Sequence, residues 1–244
     1  MINCLYDSIY MRWMLPGGSL WIISDPHFND PDSKHFRGEN YPGDDAFVKM
    51  INTKVGKKDT LIILGDVWDA EYVKKLKAGY KILIMGNHDK GASNYKRETH
   101  AEWDKSTEVT VDNLTDQLIY ESKGYIHVPG SYCLGEIIMA KGKYVNNHLF
   151  DEVYEGPVMI SDRVILSHEP IYPLSNCLFN IHGHIHNIEH KGDSNHLNVC
   201  AEVIDYTPIN LIKVLKKGLL KNITDIHRTT IDNAIVRKLA KERG

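Results

Sequence analysis

Cysteine is scarce and poorly placed for cross-linking: Cys4, Cys133, Cys177 and Cys200 stand far apart, with no CxxC spacing. That pattern argues against a disulfide framework and a thiolate zinc site, and it suits reduced thiols in a cytoplasm. Long apolar runs are lacking too. The opening MINCLYDSIYMRWMLPGG is broken by Asp7 and Arg12 and then by Pro16-Gly17-Gly18, so neither a signal-peptide core nor a membrane span is expected there. Positive charge is not in excess, the formal net charge being −3. A global attraction for a polyanion is therefore missing, and nucleic acid is not favoured as a partner, although a local basic groove stays open. Internal repeats and low-complexity tracts are also missing.

What is present is an ordinary soluble composition, 42% hydrophobic and 25% charged, in 244 residues, enough to bury a substantial core as a single domain spanning 1–244. Five short segments share one grammar. LWIIS runs into Asp25-Pro26-His27, TLIILG into Asp66, KILIMG into Asn87-His88-Asp89, RVILS into His168, and LFNIHG into His184-Ile185-His186. Short runs rich in Ile, Leu and Val, cut off by Gly, Ser, Asp or Asn, read as buried strands. In open α/β sheets the ligand crevice lies beyond the carboxyl ends of the strands, so these ends are expected to converge on one site.

Between the first and second segments, DDAFVKMINTKV has helical apolar spacing behind Asp44 and Asp45, and AEYVKKLKAG after the second reads as a short amphipathic helix closed by Gly79. From about 91 to 156 the grammar changes. A polar helical stretch is expected near NYKRETHAEWDK, followed by segments broken by Gly124, Pro129-Gly130, Gly135 and Gly142, which together read as an elaboration beside the active face. From 208 to 244 the basic amphipathic stretches INLIKVLKKG and IDNAIVRKLAKER read as a helical C-terminal extension.

The candidate ligands Asp25, His27, Asp66, Asn87, His168, His184 and His186 offer oxygen and nitrogen without sulfur. Such a set suits Mn, Fe, Zn, Co or Ni better than Ca or Mg. A lone Asp behind a strand is usually a turn former or helix cap, so the signal lies in the ensemble. On an extended segment His184 and His186 would present their side chains to the same face, where two adjacent metals could each take one.

The order DPH, GDVWD, GNHD, SH and GHIH, each behind a strand-like run, resembles the calcineurin-like metallophosphoesterases over residues of about 25 to 186. The resemblance implies an α/β fold, a four-layer αββα sandwich, with two divalent metal ions, Mn favoured. It implies that Asp25, His27 and His186 hold one metal, that Asn87, His168 and His184 hold the other, and that Asp66 bridges them. A hydroxide between the metals would attack phosphorus in line, His88 would protonate the leaving group, Asp89 would orient His88, and Asp69 would support a ligand from outside. Arg37 and His35, in the polar loop after His27, and Lys96 and Arg97 are the candidate substrate contacts, Arg being suited to clamp phosphate.

The substrate expected is a small phosphate ester, a diester or nucleotide-like molecule, since an acidic Glu169 beside His168 disfavours highly charged monoesters. No membrane partner is expected, and the sequence is silent on oligomeric state. Two alternatives stay open: a nuclease, which would need a positively charged channel, and a scaffold of the same fold without turnover, which would have no chemical need for His88.

Overall fold

The computed structural model describes residues 3–4, 13–37, 40–90, 95, 98–128, 137–147, 149–188, 194–223, 235–236 and 238. It is a mixed α/β protein in two compact units, one formed by Met1–Tyr95 with Leu149–Gly244 and the other by Lys96–His148.

In the larger unit all five predicted runs are strands: β2 (Leu20–Ile23), β3 (Thr60–Ile63), β4 (Tyr80–Ile84), β11 (Val164–Leu166) and β12 (Phe179–His182). They divide between two five-stranded sheets. One has the order β14-β2-β3-β4-β9, with β9 at Glu152–Tyr154 and β14 at Ile209–Asn210. Its β2, β3 and β4 are parallel and β14 closes one edge antiparallel. The other has the order β1-β10-β11-β12-β13, with β1 at Asn3–Cys4, β10 at Val158–Met159 and β13 at His196–Asn198.

Alternation along the strands decides which side chains meet. Leu20, Ile22, Ile62, Leu64, Ile82 and Ile84 form one apolar cluster with Val158, Val164, Leu166, Phe179 and Ile181 of the other sheet, so the two sheets share a core. The intervening Ile23, Leu61, Ile63 and Leu83 point the other way and pack with Phe47, Val48 and Ile51 of the helix Asp44–Lys54. Each strand is therefore buried on both faces, which explains the unbroken Ile/Leu runs.

The smaller unit is built on the eleven-residue strand β8 (Ile137–Asn147), which pairs antiparallel with β5 (Glu98–Trp103), β6 (Val109–Val111) and β7 (Tyr125–His127). One expectation fails here. NYKRETHAEWDK, read as a polar helix, contains strand β5, in register from Glu98 opposite Asn147 to Trp103 opposite Gly142. A long antiparallel partner satisfies six consecutive backbones, and that tertiary pairing overrides the helical preference of the polar residues. The described α-helix of this unit is Leu114–Ser122, capped by the Asn113 side chain on the Asp116 amide. In the C-terminal stretch, Ile209–Asn210 is an edge strand, Leu211–Lys216 is an α-helix and Leu219–Asn222 a short 3-10 helix. Of IDNAIVRKLAKER, all but Ile235, Val236 and Lys238 lies outside the described residues.

Candidate metal centre

The ends of β2, β3, β4, β11 and β12 carry their polar residues to one place. Backbone bonds zip the first two loops together: the amides of Asp25, His27 and Phe28 donate to the carbonyls of Gly65, Asp66 and Val67 at 3.2, 2.9 and 3.0 Å. Gly183 likewise donates to the His168 carbonyl at 2.8 Å. The conformation at these corners is unusual. Asp25, His27, Asp66, His184 and His186 all have positive φ, between 38° and 68°. For residues other than glycine this region costs about 1–3 kcal/mol each and persists only where the surroundings impose it, typically at functional sites.

Two groups of donors result. In the first, His27 Nε2 lies 3.9 Å from Asp25 Oδ1 and 3.6 Å from Asp66 Oδ2, and His186 Nε2 lies 4.0 Å from Asp25 Oδ1. In the second, His168 Nε2 lies 3.3 Å from Asp66 Oδ2, 3.0 Å from Asn87 Oδ1 and 3.0 Å from His184 Nδ1. Asp66 Oδ2 belongs to both.

Three of the imidazoles have their tautomers dictated from behind. His27 Nδ1 faces Asp30 Oδ2 at 2.7 Å, His186 Nδ1 faces Glu202 Oε1 at 2.7 Å, and His168 Nδ1 faces the Leu64 carbonyl at 2.8 Å. Those oxygens only accept, so each Nδ1 carries hydrogen and each neutral ring offers its Nε2 lone pair to the centre. Around His168 Nε2, lone pairs of a carboxylate, an amide oxygen and a second imidazole then converge within 3.3 Å. Such a cluster repels itself unless a cation sits among the donors. Asp25 Oδ1 points the same way: it is buried and accepts no hydrogen bond among the described residues. Two ligands each about 2.0–2.2 Å from a common ion stand roughly 3–4 Å apart, the spacing found here. The residues fit divalent metal.

The titration behaviour has the same cause. Burial pulls the His168 pKa down, but the hydrogen bond to Asp66 and the charges of Asp25 and Asp66 outweigh it and raise it to about 9. His186 is also raised: burial opposes, and Glu202 and Asp25 prevail. Burial dominates at His27 and holds it low, in the neutral form that coordinates. Burial opposes ionisation of Asp66, yet His168, the His88 amide and His27 together hold its carboxyl below the usual range. A proton on His168 fills the role a metal would fill more strongly.

Residues 18–187 match the model of the family described as calcineurin-like phosphoesterases. The chain belongs to that family. Its members are metal-dependent phosphoesterases, in accord with the donor groups found here. No curated protein matches this chain. A solved structure, that of the protein of unknown function AQ665 from Aquifex aeolicus, is 21% identical to it, covers 82% of this chain and 98% of its own, and has a TM-score of 0.47.

The other sequence candidates fall differently in this family member. His88 stands at the rim with its side chain 45% exposed and Nε2 4.0 Å from Asp66 Oδ2, while its amide donates to Asp66 Oδ1 at 3.0 Å. Asp89, expected to orient His88, is fully buried and turned elsewhere. It accepts the amides of Asp66, Val67 and Gly86 at 2.7, 3.1 and 2.9 Å, tying the Asp66 loop to the Asn87 loop. Asp69 caps the helix Ala70–Lys74 through the Glu71 amide and holds Asn29 Nδ2 at 3.1 Å, with no described hydrogen bond to a candidate ligand. Arg37, expected as a phosphate clamp, is buried. Its Nη2 donates to the Pro26 carbonyl and its guanidinium lies 4.3 Å from the Tyr41 ring centre, where it braces the turn between Asp25 and His27. His35 is exposed. Lys96 and Arg97 lie outside the described residues.

Asp30, Glu202 and Cys200 are the residues that sequence reasoning missed. Cys200 Sγ donates to Asp25 Oδ2 at 3.2 Å, and burial pushes its thiol pKa far up, so it supports Asp25 as a neutral donor. Asp30 was within reach as the carboxylate three residues after His27. Glu202 and Cys200 follow β13 and carry no local signal.

Proposed function

We propose that this chain hydrolyses a small phosphate ester, a diester or nucleotide-like molecule, with two divalent cations, Mn favoured, held by Asp25, His27 and His186 and by Asn87, His168 and His184, and with Asp66 shared between them. The observation that carries this reading is the single oxygen Asp66 Oδ2, 3.6 Å from His27 Nε2 and 3.3 Å from His168 Nε2. Cations in these two donor groups would supply an acidified water and a positive field for the phosphoryl oxygens.

The side chains do the rest. Asn87 adds an oxygen without charge, which keeps the centre receptive to an anion. His88 stands at the open rim, where its Nε2 proton can pass to a departing alkoxide; general acid catalysis of this kind is worth about 10²–10⁴ in rate. Beside Asn87 and His168 lies a cavity of about 190 Å³ whose rim carries Lys90, Glu155 and Glu169. Two carboxylates against one ammonium favour a singly charged diester over a doubly charged monoester.

The test is metal content together with Mn-dependent hydrolysis of bis-p-nitrophenyl phosphate and p-nitrophenyl phosphate by wild type and His88→Ala. Two ions per chain and preferential turnover of the diester are expected. Bound metal without turnover of either ester would reject the reading, as would a preference for the monoester for its diester part.

A further inference from the structure

We infer that Trp68 is the positioning residue for His88, holding the imidazole at the rim by ring contact; this rests on His88 acting as the proton donor proposed above. The need for such a residue follows from what surrounds His88. Its backbone is fixed through Asp66 Oδ1, but among the described residues no hydrogen bond reaches its half-exposed imidazole, the Asp66 carboxylate being 4.0 Å away. Asp89 is committed to backbone amides. What touches the ring is aromatic: the Trp68 indole at 5.2 Å between centroids with the planes 52° apart, and the His27 imidazole at 5.5 Å and 67°. Trp68 and His27 are themselves 6.2 Å apart, so the three rings close a triangle in which His27, buried and bonded to Asp30, is the anchored corner.

The backbone at Trp68 shows that this placement is imposed. Its φ is +70°, and the Asp69 amide donates to the Val67 carbonyl at 3.0 Å, which makes a three-residue turn of the rare, strained form with Trp68 at its centre. A positive φ on a bulky residue is a genuine outlier. Both neighbours are fixed, Val67 by burial and its bonds to Asp89 and Phe28, and Asp69 by capping the next helix. The strain turns a large indole outward, 40% exposed, against His88 instead of into the core that takes Val67. Glycine would fit this turn with less strain, so a tryptophan there is explained by what its ring touches.

The experiment uses the full chain loaded with Mn and two diesters, bis-p-nitrophenyl phosphate, whose leaving group needs no proton, and a glycerophosphodiester, whose leaving alkoxide does. Trp68→Ala is expected to slow the alkyl ester about tenfold more than the nitrophenyl ester, and to add nothing to the loss in a Trp68→Ala/His88→Ala double variant. Trp68→Phe is expected to recover part of that loss. In metal-free protein, the NMR signal of the His88 ring, assigned through a His88→Gln sample, is expected to lose its ring-current displacement in Trp68→Ala and to keep part of it in Trp68→Phe. Trp68→Gly is expected to melt at the same or a higher temperature while losing the same discrimination. Equal slowing of both esters, additivity with His88→Ala, or a melting temperature that falls along with the rate would overturn the assignment. If His88→Ala itself shows no leaving-group dependence, the donor reading fails first and this inference with it, whereas dependence in His88→Ala but not in Trp68→Ala overturns the inference alone.

Discussion

The Asp89 carboxylate accepts the backbone N–H of Asp66 at 2.7 Å across twenty-three residues of sequence. With the amides of Val67 and Gly86 on the same group, one buried side chain fixes against each other the two loops that carry Asp66 and Asn87. Asp89→Asn replaces one acceptor oxygen with a donor facing N–H groups. A buried donor left unsatisfied costs about 1–3 kcal/mol, so a loss of about 2–3 kcal/mol in unfolding free energy is expected by denaturant titration, with weaker metal retention. Unchanged stability would remove Asp89 from this role.

Asp66→Asn is expected to reduce metal content at both positions, because Oδ2 is common to the two donor groups and the substitution removes its charge without changing its shape. Metal analysis after equilibration in Mn buffer checks this. A variant that keeps one ion at full occupancy would assign Asp66 to a single position.

Gly183 shows how tightly the centre is closed. A Cβ there would stand 1.9 Å from Ser24 Oγ and 2.1 Å from Asp25 Oδ2. Gly183→Ala is therefore expected to displace Asp25 and to cost about 1–3 kcal/mol, the usual range for overpacking. Thermal melts with and without Mn separate the two effects, since loss of ligation alone lowers only the Mn-bound melting temperature.

The strands and the convergence of polar donors at their ends were legible because both rest on short-range chemistry. A β2 or β3 buried on both faces must be apolar throughout, and the residue that ends it must be polar to face the crevice. The roles of Asp89, Arg37 and Asp69 were not legible, because each depends on which amide or carbonyl another loop brings within 3 Å. Asp89 sits beside His88 in sequence yet bonds to Asp66, Val67 and Gly86. Glu202 is sixteen residues from His186 and reaches it only because β12 and β13 run parallel side by side. The strand β5 was misread for the same reason, its partner β8 lying some forty residues onward.

Asp30→Asn and Glu202→Gln test the support behind His27 and His186. Each substitution replaces a carboxylate that holds Nδ1–H with a neutral amide, making the ring a weaker base and freeing it to turn. Partners of this kind are worth about 10–100-fold in metal affinity, and that loss is expected for each variant by competition with a chelator dye. The effects should multiply only weakly, since both rings belong to the donor group around Asp25. An unchanged affinity in either variant would show that its histidine does not coordinate.

His168 links metal, proton and stability with opposite signs. Its pKa in the metal-free fold is raised from 6.5 to about 9, so the stability it contributes is complete below 6.5 and is lost as pH rises toward 9. His186 is raised also and acts in the same sense, while His27, lowered by burial, acts in the opposite sense and on the acid side of its ordinary value. Metal-stripped protein is thus expected to melt at progressively lower temperature from pH 6.5 to 9. Metal binding runs the other way: His168 must release its proton to coordinate, so affinity should rise about tenfold per pH unit while that proton is bound and level off near pH 9. Melting of the stripped protein and chelator competition over the same pH series read the two slopes independently. A stripped protein that gains stability across this window, or an affinity flat from pH 7 upward, would place His168 outside the electrostatic contact with Asp66 and Asp25 on which the centre is built.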